Sequence, residues 1–267
     1  MKEQILSEKL PLAGLRNTRD LGGMHTKNGR IVSGKLIRSG HLYGATPEDL
    51  TLLKDRIALI VDFRTEQERA EQPDPLVDGV ENLHVPIFES LAAGITQDRK
   101  SIDEAFAIVA QSPDLALRYM KNQYVGFVTD AYSIAQYGRF VRLLLAQREK
   151  AMLWHCTAGK DRAGFASVLV QELLGVDRDD IFADYLKTNE YLQPEIEQIC
   201  KKIGSAMGGL DEKAQKALNR LFGAKEEYLA GIYQTIGERY GTFEAFLTDG
   251  LCITRAEIER LWTLYVQ

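Results

Sequence analysis

The sequence predicts an α/β fold: a central, mostly parallel sheet flanked by helices, with extra helices in the C-terminal half. Three observations carry this. Two short, nearly continuous apolar runs, Ile57 to Phe63 and Ala151 to His155, read as strands buried on both faces, as parallel sheets require. Helix-start signals recur between and after them. Strand-like segments crowd the first third of the chain, and helical patterns fill the rest.

Taken in order, Lys27-Asn28-Gly29-Arg30 predicts a hairpin, with Asn-Gly suited to a type I′ turn. Thr46-Pro47-Glu48-Asp49 predicts a helix start: Thr46 caps, Pro47 takes the first turn and Asp49 reaches back. After the 57–63 strand, Thr65 with Glu68 forms a second capping box. Leu83 to Ile87 reads as an outer strand ending near Pro86. From about residue 101 the pattern turns helical. Ser112-Pro113 opens a long helix running to about Gln147, with a break near Gly126. The 151–155 strand leads into a glycine-bearing loop. Phe165 to Leu174 is apolar on nearly every side and ends at Gly175, a buried helix with a glycine C-cap. Asp177 with Asp180, Thr242, and Thr254 with Glu257 mark later helix starts. Gly204 to Gly209 is the most linker-like stretch, yet nothing around it divides the chain. The organisation expected is one domain over 1–267 with a sheet of four or five strands. Helical insertions are expected near 88–122 and 177–240, either of which could close over a pocket.

Composition narrows the function classes. The chain has 267 residues, 45% hydrophobic and 27% charged, which excludes a disordered, collagen-like or disulfide-scaffold protein. A net charge of −5 gives no global basic field, so nucleic acid is not the expected partner. Cys156, Cys200 and Cys252 form no C-x-x-C pair, and their odd number argues against a disulfide framework. A reducing cytoplasm is the expected compartment. The N-terminus has two lysines and two glutamates within nine residues and no apolar core of a signal peptide. No apolar run reaches the length of a membrane span.

The chemistry concentrates in Leu153-Trp154-His155-Cys156-Thr157-Ala158-Gly159-Lys160-Asp161-Arg162-Ala163-Gly164. A cysteine and an arginine stand six positions apart, across a loop between a predicted strand and a predicted helix. Such a loop suits a phosphate: its N–H groups form a concave nest, and the helix N-terminus adds free donors and a positive dipole end. Arginine grips phosphate oxygens with its planar fork. The same field favours a thiolate, a nucleophile for phosphorus. A Walker A reading of the Gly-Lys pair fails, because position 154 is Trp and position 161 is Asp.

H-C-T-A-G-K-D-R-A-G resembles the signature loop of cysteine-dependent protein tyrosine phosphatases. It is most similar to the bacterial tyrosine/serine phosphatases whose loop reads H-C-x-x-G-K-D-R-[TS]-G. Asn17 to Gly23 (N-T-R-D-L-G-G), Leu36 to Leu42 (L-I-R-S-G-H-L), Val61 to Glu68 (V-D-F-R-T-E-x-E) and Tyr240 to Leu247 (Y-G-T-F-E-A-F-L) extend the resemblance over almost the whole chain. The resemblance implies a tyrosine-phosphatase-like fold and two-step hydrolysis of a phosphate monoester, with inorganic phosphate as product and no metal or cofactor. It implies that Cys156 becomes a phosphocysteine and that Arg162 binds phosphate and stabilises the transition state. Residues Thr157, Ala158, Gly159, Lys160 and Asp161 would line the phosphate, and His155 would orient the loop. Position 163 departs from the pattern: an alanine replaces the usual hydroxyl residue, which predicts slower breakdown of the phosphoenzyme.

The general acid is open between two aspartates. The chain lacks the W-P-D tripeptide that supplies it in many tyrosine phosphatases. Asp161 lies inside the loop, and Asp62 lies at a strand end, where side chains of α/β folds reach a site. Asp161 is preferred, with a structural carboxylate as the plainer role for either. Lys160 is a solvated lysine or a second cation for a polyanionic substrate, which keeps phosphoinositides beside phosphoproteins as substrates. The resemblance favours phosphotyrosine, with phosphoserine/threonine as a second activity. A small phosphate-ester phosphatase and a catalytically weak phosphate-binding module are the alternatives, and a rhodanese-like sulfur transferase ranks below them. Arg19 with Asp20 reads as a structural pair beside a glycine turn. Arg38 and Arg64 read as rim residues or surface ion pairs, and Cys200 as packed core. His25, His41 and His84 lack metal-ligand spacing.

Overall fold

The computed structural model describes residues 6–89, 107–146 and 149–267. Among these, one sheet has the order β1 (Glu8–Lys9), β2 (Arg19–Asp20), β5 (Leu36–Ser39), β8 (Ala151–His155), β6 (Ile57–Asp62), β7 (Glu81–His84). The four strands from β5 to β7 run parallel, and β1 and β2 add antiparallel at one edge. The sheet thus has six strands rather than four or five. The additional pairings are two residues long, too short to leave an alternating pattern in sequence.

Side chains of the central strands alternate between two cores, as the two-residue period of a strand demands. Leu36, Leu59, Val61, Met152 and Trp154 face one side; Ile37, Ile57, Ile60, Ala151 and Leu153 face the other. The first face carries α3 (Pro113–Thr129), α4 (Ala131–Leu144) and α5 (Arg162–Leu174). Aromatic rings knit this layer: Phe127 stacks on Phe165 at 5.8 Å and Phe140 meets Trp154 edge-on at 5.4 Å. Each such ring, fully buried, contributes roughly 1.5–3 kcal/mol. The Trp154 indole N–H has acceptors in Ala163 O and Ser167 Oγ, so its burial leaves no orphaned donor. The second face is covered by α1 (Pro47–Arg56) through Leu53, together with Leu12, Leu15 and Val77.

The capping signals act where the residues place them. Thr46 with Asp49 and Thr254 with Glu257 close boxes at the starts of α1 and α9 (Arg255–Tyr265). Thr65 with Glu68 does the same for α2 (Glu66–Glu71). Gly175 ends α5 at φ 78°. Other expectations shift. The hairpin of β3 (His25–Thr26) and β4 (Gly29–Arg30) reverses at Lys27-Asn28, and Asn28 is not in the left-handed region, so the turn is not type I′. The outer strand β7 starts two residues and ends three residues earlier than expected. The long helix breaks at Asp130, whose side chain caps α4, and Gly126 stays helical. Gly204 belongs to α6 (Arg178–Met207), which Gly208 terminates at φ 74°, so the glycine-rich stretch is a helix end.

From the expected 177–240 insertion, α7 (Glu212–Phe222) and α8 (Glu226–Tyr240) pack on α3 rather than on the sheet. Of the expected 88–122 insertion, residues 90–106 lie outside the described residues, and 113–122 form the first part of α3. No described helix is long and apolar enough to cross a membrane. The four parallel strands end at one edge, and their register sets Ser39 beside His155, His155 beside Asp62, and Asp62 beside His84. Loops leaving that edge meet in the crevice where α/β sheets bind ligands.

Candidate active site

Cys156 follows the last residue of β8, and Arg162 is the first residue of α5. Residues 156–161 therefore turn the chain from a buried strand into a helix N-terminus within six positions. Gly159 makes the turn possible. Its φ is 67°, and a Cβ there would come within 2.5 Å of Ser39 O and 2.7 Å of Gly40 N, so glycine is required twice over.

The outer side of the loop is tied down at three successive carbonyls. His41 N donates to Thr157 O at 3.0 Å, Asn17 Nδ2 to Ala158 O at 3.1 Å, and an Arg38 guanidinium N–H to Gly159 O at 2.6 Å. A trans peptide points its N–H away from its C=O. The amides of Ala158, Gly159 and Lys160 are thereby turned to the inner side. Among the described residues they meet no protein acceptor there. Together with the free N–H groups at the start of α5, they form a concave set of donors fit for an anion.

The tethers are themselves buried and braced. Asn17 adopts φ 54°, a conformation asparagine tolerates, and its Oδ1 accepts from Arg19. Arg19 and Arg38 share Asp184 of α6 as counter-ion, at 3.4 Å and 3.7 Å. Burial, and then the neighbouring Arg19, lower the Arg38 guanidinium to about 9, with Asp184 and Cys156 opposing them. Arg38 and Arg64 are thus neither rim nor surface residues; both are about 1% exposed. Arg19 and Asp20 do not pair either. Adjacent strand residues point to opposite faces, and Asp20 instead accepts from Gly22 N and Gly34 N.

Arg162 projects beside the loop and is held by Glu68 in a two-pronged contact at 2.6 and 2.7 Å. Glu68 also accepts from Thr157 Oγ1 at 2.5 Å and from Thr65 N at 2.9 Å. Burial would raise the Glu68 carboxyl, but the bonds and charge of Arg162, with Thr157 and Thr65, bring it down to about 2. The ring of Phe88 lies under the guanidinium at 5.8 Å. Of the five guanidinium N–H donors, Glu68 takes two and Thr157 Oγ1 a third at 3.3 Å, which leaves two for a ligand.

The two candidate aspartates are placed very differently. Asp161 is at the loop, its side chain 23% exposed; Oδ1 accepts from Tyr124 OH at 2.7 Å and lies 3.4 Å from Lys160 Nζ. Asp62 is buried beneath the loop. It pairs with Arg64 at 2.8 Å and Arg69 at 3.2 Å. Burial acts to raise its carboxyl, but His155 and Arg64 hold it at about 2. The same network contains Asp74, which meets Arg64 at 2.6 Å and His155 Nε2 at 3.1 Å and fixes the loop histidine from behind. Donor atoms of Asp62, Asp74 and His155 lie within 4.8 Å of one another. Arg64 already supplies the cation between the two carboxylates, so the set fits an ion-pair network better than a metal site.

Lys160 turns away from the anion nest. Its side chain is 3% exposed, and Nζ donates to Leu221 O at 2.5 Å and lies 3.4 Å from Gly223 O, at the C-terminal end of α7. It is neither a solvated loop lysine nor a cation facing a ligand; it fastens the 177–240 helices to the loop. Ala163 is fully buried directly after Arg162 and offers no hydroxyl. Sequence reasoning found Glu68 only as a capping residue and missed Asp74, Asp184 and Tyr124. No local signal marks the last two, because their partners are distant in the chain.

A model of the Tyrosine phosphatase family matches residues 10–267. The chain is 32% identical over 273 residues to the triple specificity protein phosphatase PtpB of Mycobacterium tuberculosis, covering 94% of this chain and 96% of that protein. It is 32% identical over 252 residues to a Cupriavidus necator protein assigned to the tyrosine-protein phosphatases, covering 91% and 84%. A tyrosine-protein phosphatase of Nostoc commune is 25% identical over 215 residues, covering 77% and 65%.

Proposed function

The chain belongs to the tyrosine phosphatase family, and on that footing we propose that it hydrolyses phosphate monoesters in two steps through Cys156. One observation carries the reading: Cys156 opens a loop whose carbonyls are tied from outside, leaving its amides and the Arg162 fork for one anion. In the first step Cys156 Sγ forms a bond to phosphorus while the ester P–O bond breaks. Asp161 gives its proton to the leaving oxygen. In the second step water attacks phosphorus, Asp161 takes a proton from it, and the thiolate departs with release of inorganic phosphate. Arg162 and the inward amides hold the equatorial oxygens, where charge gathers in the transition state. Asp62, locked to Arg64 and Arg69, supports the histidine network and is not the acid.

Phosphotyrosine in proteins is the proposed substrate class, with phosphoserine/threonine second. The triple specificity in the name of the Mycobacterium tuberculosis relative gives reason to test inositol phosphates as well. The Lys160 anchor speaks against that lysine selecting them. We take 1–267 as one catalytic domain working in the cytoplasm, where Cys156 stays reduced. The test is metal-free phosphate release from phosphotyrosine peptide, phosphoserine peptide and inositol phosphates. Release from the tyrosine peptide that is lost in Cys156→Ser supports the reading. Phosphate binding without release from any substrate would make the protein a recognition module.

A further inference from the structure

We propose that Tyr124 is a positioning residue for Asp161, holding its Oδ1 as a fixed acceptor so that the proton delivered to the leaving group rides on Oδ2. The inference rests on the reading of Asp161 as the acid. Tyr124 comes from α3, near the middle of the chain, and is buried between α6 and α8. Its hydroxyl lies 2.7 Å from Asp161 Oδ1 and 2.7 Å from Tyr185 OH.

Proton counting orders this chain. An ionised carboxylate only accepts, so the single hydroxyl proton of Tyr124 goes to Asp161, and Tyr185 donates to Tyr124. The second donor near the carboxylate, Lys160 Nζ, also addresses Oδ1, at 3.4 Å. Among the described residues no donor addresses Oδ2. When Asp161 is protonated, Oδ1 is still engaged by Tyr124 and the proton sits on Oδ2. As the ester P–O bond breaks, its electron pair stays on the leaving oxygen, which takes that proton and leaves a carboxylate. Tyr124 OH and Lys160 then stabilise the new charge at Oδ1 without moving.

The groups facing Asp161 are Tyr119 and Tyr124 from α3, Tyr137 from α4, Tyr185 from α6, Tyr228 from α8, and Lys160 and Arg162 beside it. Burial, followed by the Asp161 charge, raises Tyr124 and Tyr185 above the ordinary tyrosine value. The relay therefore stays neutral where phosphatases are assayed.

The experiment compares wild type, Tyr124→Phe, Tyr185→Phe and Asp161→Asn. It reads kcat/KM, which reports phosphoenzyme formation, for aryl phosphates with good and poor leaving groups from acid to alkaline pH. Tyr124→Phe is expected to lower kcat/KM for the poor leaving group roughly tenfold and to spare the good one, as loss of one charge-assisted hydrogen bond implies. Tyr185→Phe lowers it less, with the same selectivity for the poor leaving group. A Tyr124→Phe profile that superimposes on wild type, while Asp161→Asn steepens the leaving-group dependence, overturns the proposal alone. If Asp161→Asn leaves that dependence unchanged, the assignment of Asp161 fails, and the role of Tyr124 fails with it. A general packing defect would lower both substrates equally, and that too overturns it.

Discussion

Replacing Glu68 with glutamine keeps the shape of the side chain and removes the charge that matches Arg162. The Glu68 carboxyl is held at about 2 in the folded protein. An unfolded glutamate titrates near about 4.3, and each unit of difference corresponds to about 1.4 kcal/mol, so the charge contributes up to about 3 kcal/mol. Glu68 is 15% and Arg162 12% exposed, so solvent screening removes little of this. Because the folded value lies below the unfolded one, the contribution is complete above about pH 5 and is lost as pH falls through about 2. Glu68→Gln is therefore expected to be less stable than wild type by about 2–3 kcal/mol at pH 7, with the gap closing towards pH 2. Urea unfolding at a series of pH values reads this directly. The variant also loosens Arg162, so inorganic phosphate should inhibit it roughly tenfold more weakly. A stability gap that is the same at pH 3 as at pH 7, or below about 0.5 kcal/mol throughout, would refute the role given to this ion pair.

Gly159→Ala forces a Cβ against Ser39 O and Gly40 N in a left-handed conformation. It should destabilise the fold by more than about 2 kcal/mol and abolish phosphate binding, both checked by thermal unfolding with and without phosphate. Lys160→Met leaves Leu221 O without its donor and loosens the attachment of α7. The expected loss is about 1–3 kcal/mol in stability, with activity on phosphotyrosine and inositol phosphates reduced by the same factor. A selective loss on inositol phosphates would show that the lysine reaches the substrate after all. On the proposed mechanism, Ala163→Thr restores the hydroxyl that the family pattern offers to the departing thiolate. Its steady-state rate should rise roughly three- to tenfold, and the pre-steady-state burst should shrink.

Local signals were the legible ones. Capping boxes at Thr46, Thr65 and Thr254 and the Gly175 C-cap involve residues three or four apart, so sequence spacing alone exposes them. The apolar runs of β6 and β8 announced buried strands, and the Cys156–Arg162 motif falls on the expected strand–loop–helix turn. What stayed hidden depends on contacts between distant residues. Asp184 becomes the counter-ion of Arg19 and Arg38 only once α6 folds beneath the loop. Tyr124 meets Asp161 across 37 positions, and Lys160 meets Leu221 across 61. Asp62 stood as a candidate acid because side chains at strand ends of α/β folds often reach a site. The structure surrounds it with Arg64, Arg69 and His155, which no spacing rule encodes.

The central claim is that Cys156 carries the phosphoryl group. Rapid acid quench of the enzyme with phosphotyrosine peptide, followed by mass analysis of the digested chain, tests it most directly. The account predicts one added phosphoryl group on the peptide containing Cys156, absent in Cys156→Ser and accumulating more in wild type than in Ala163→Thr. Turnover without that adduct, or an adduct on any other residue, would contradict it.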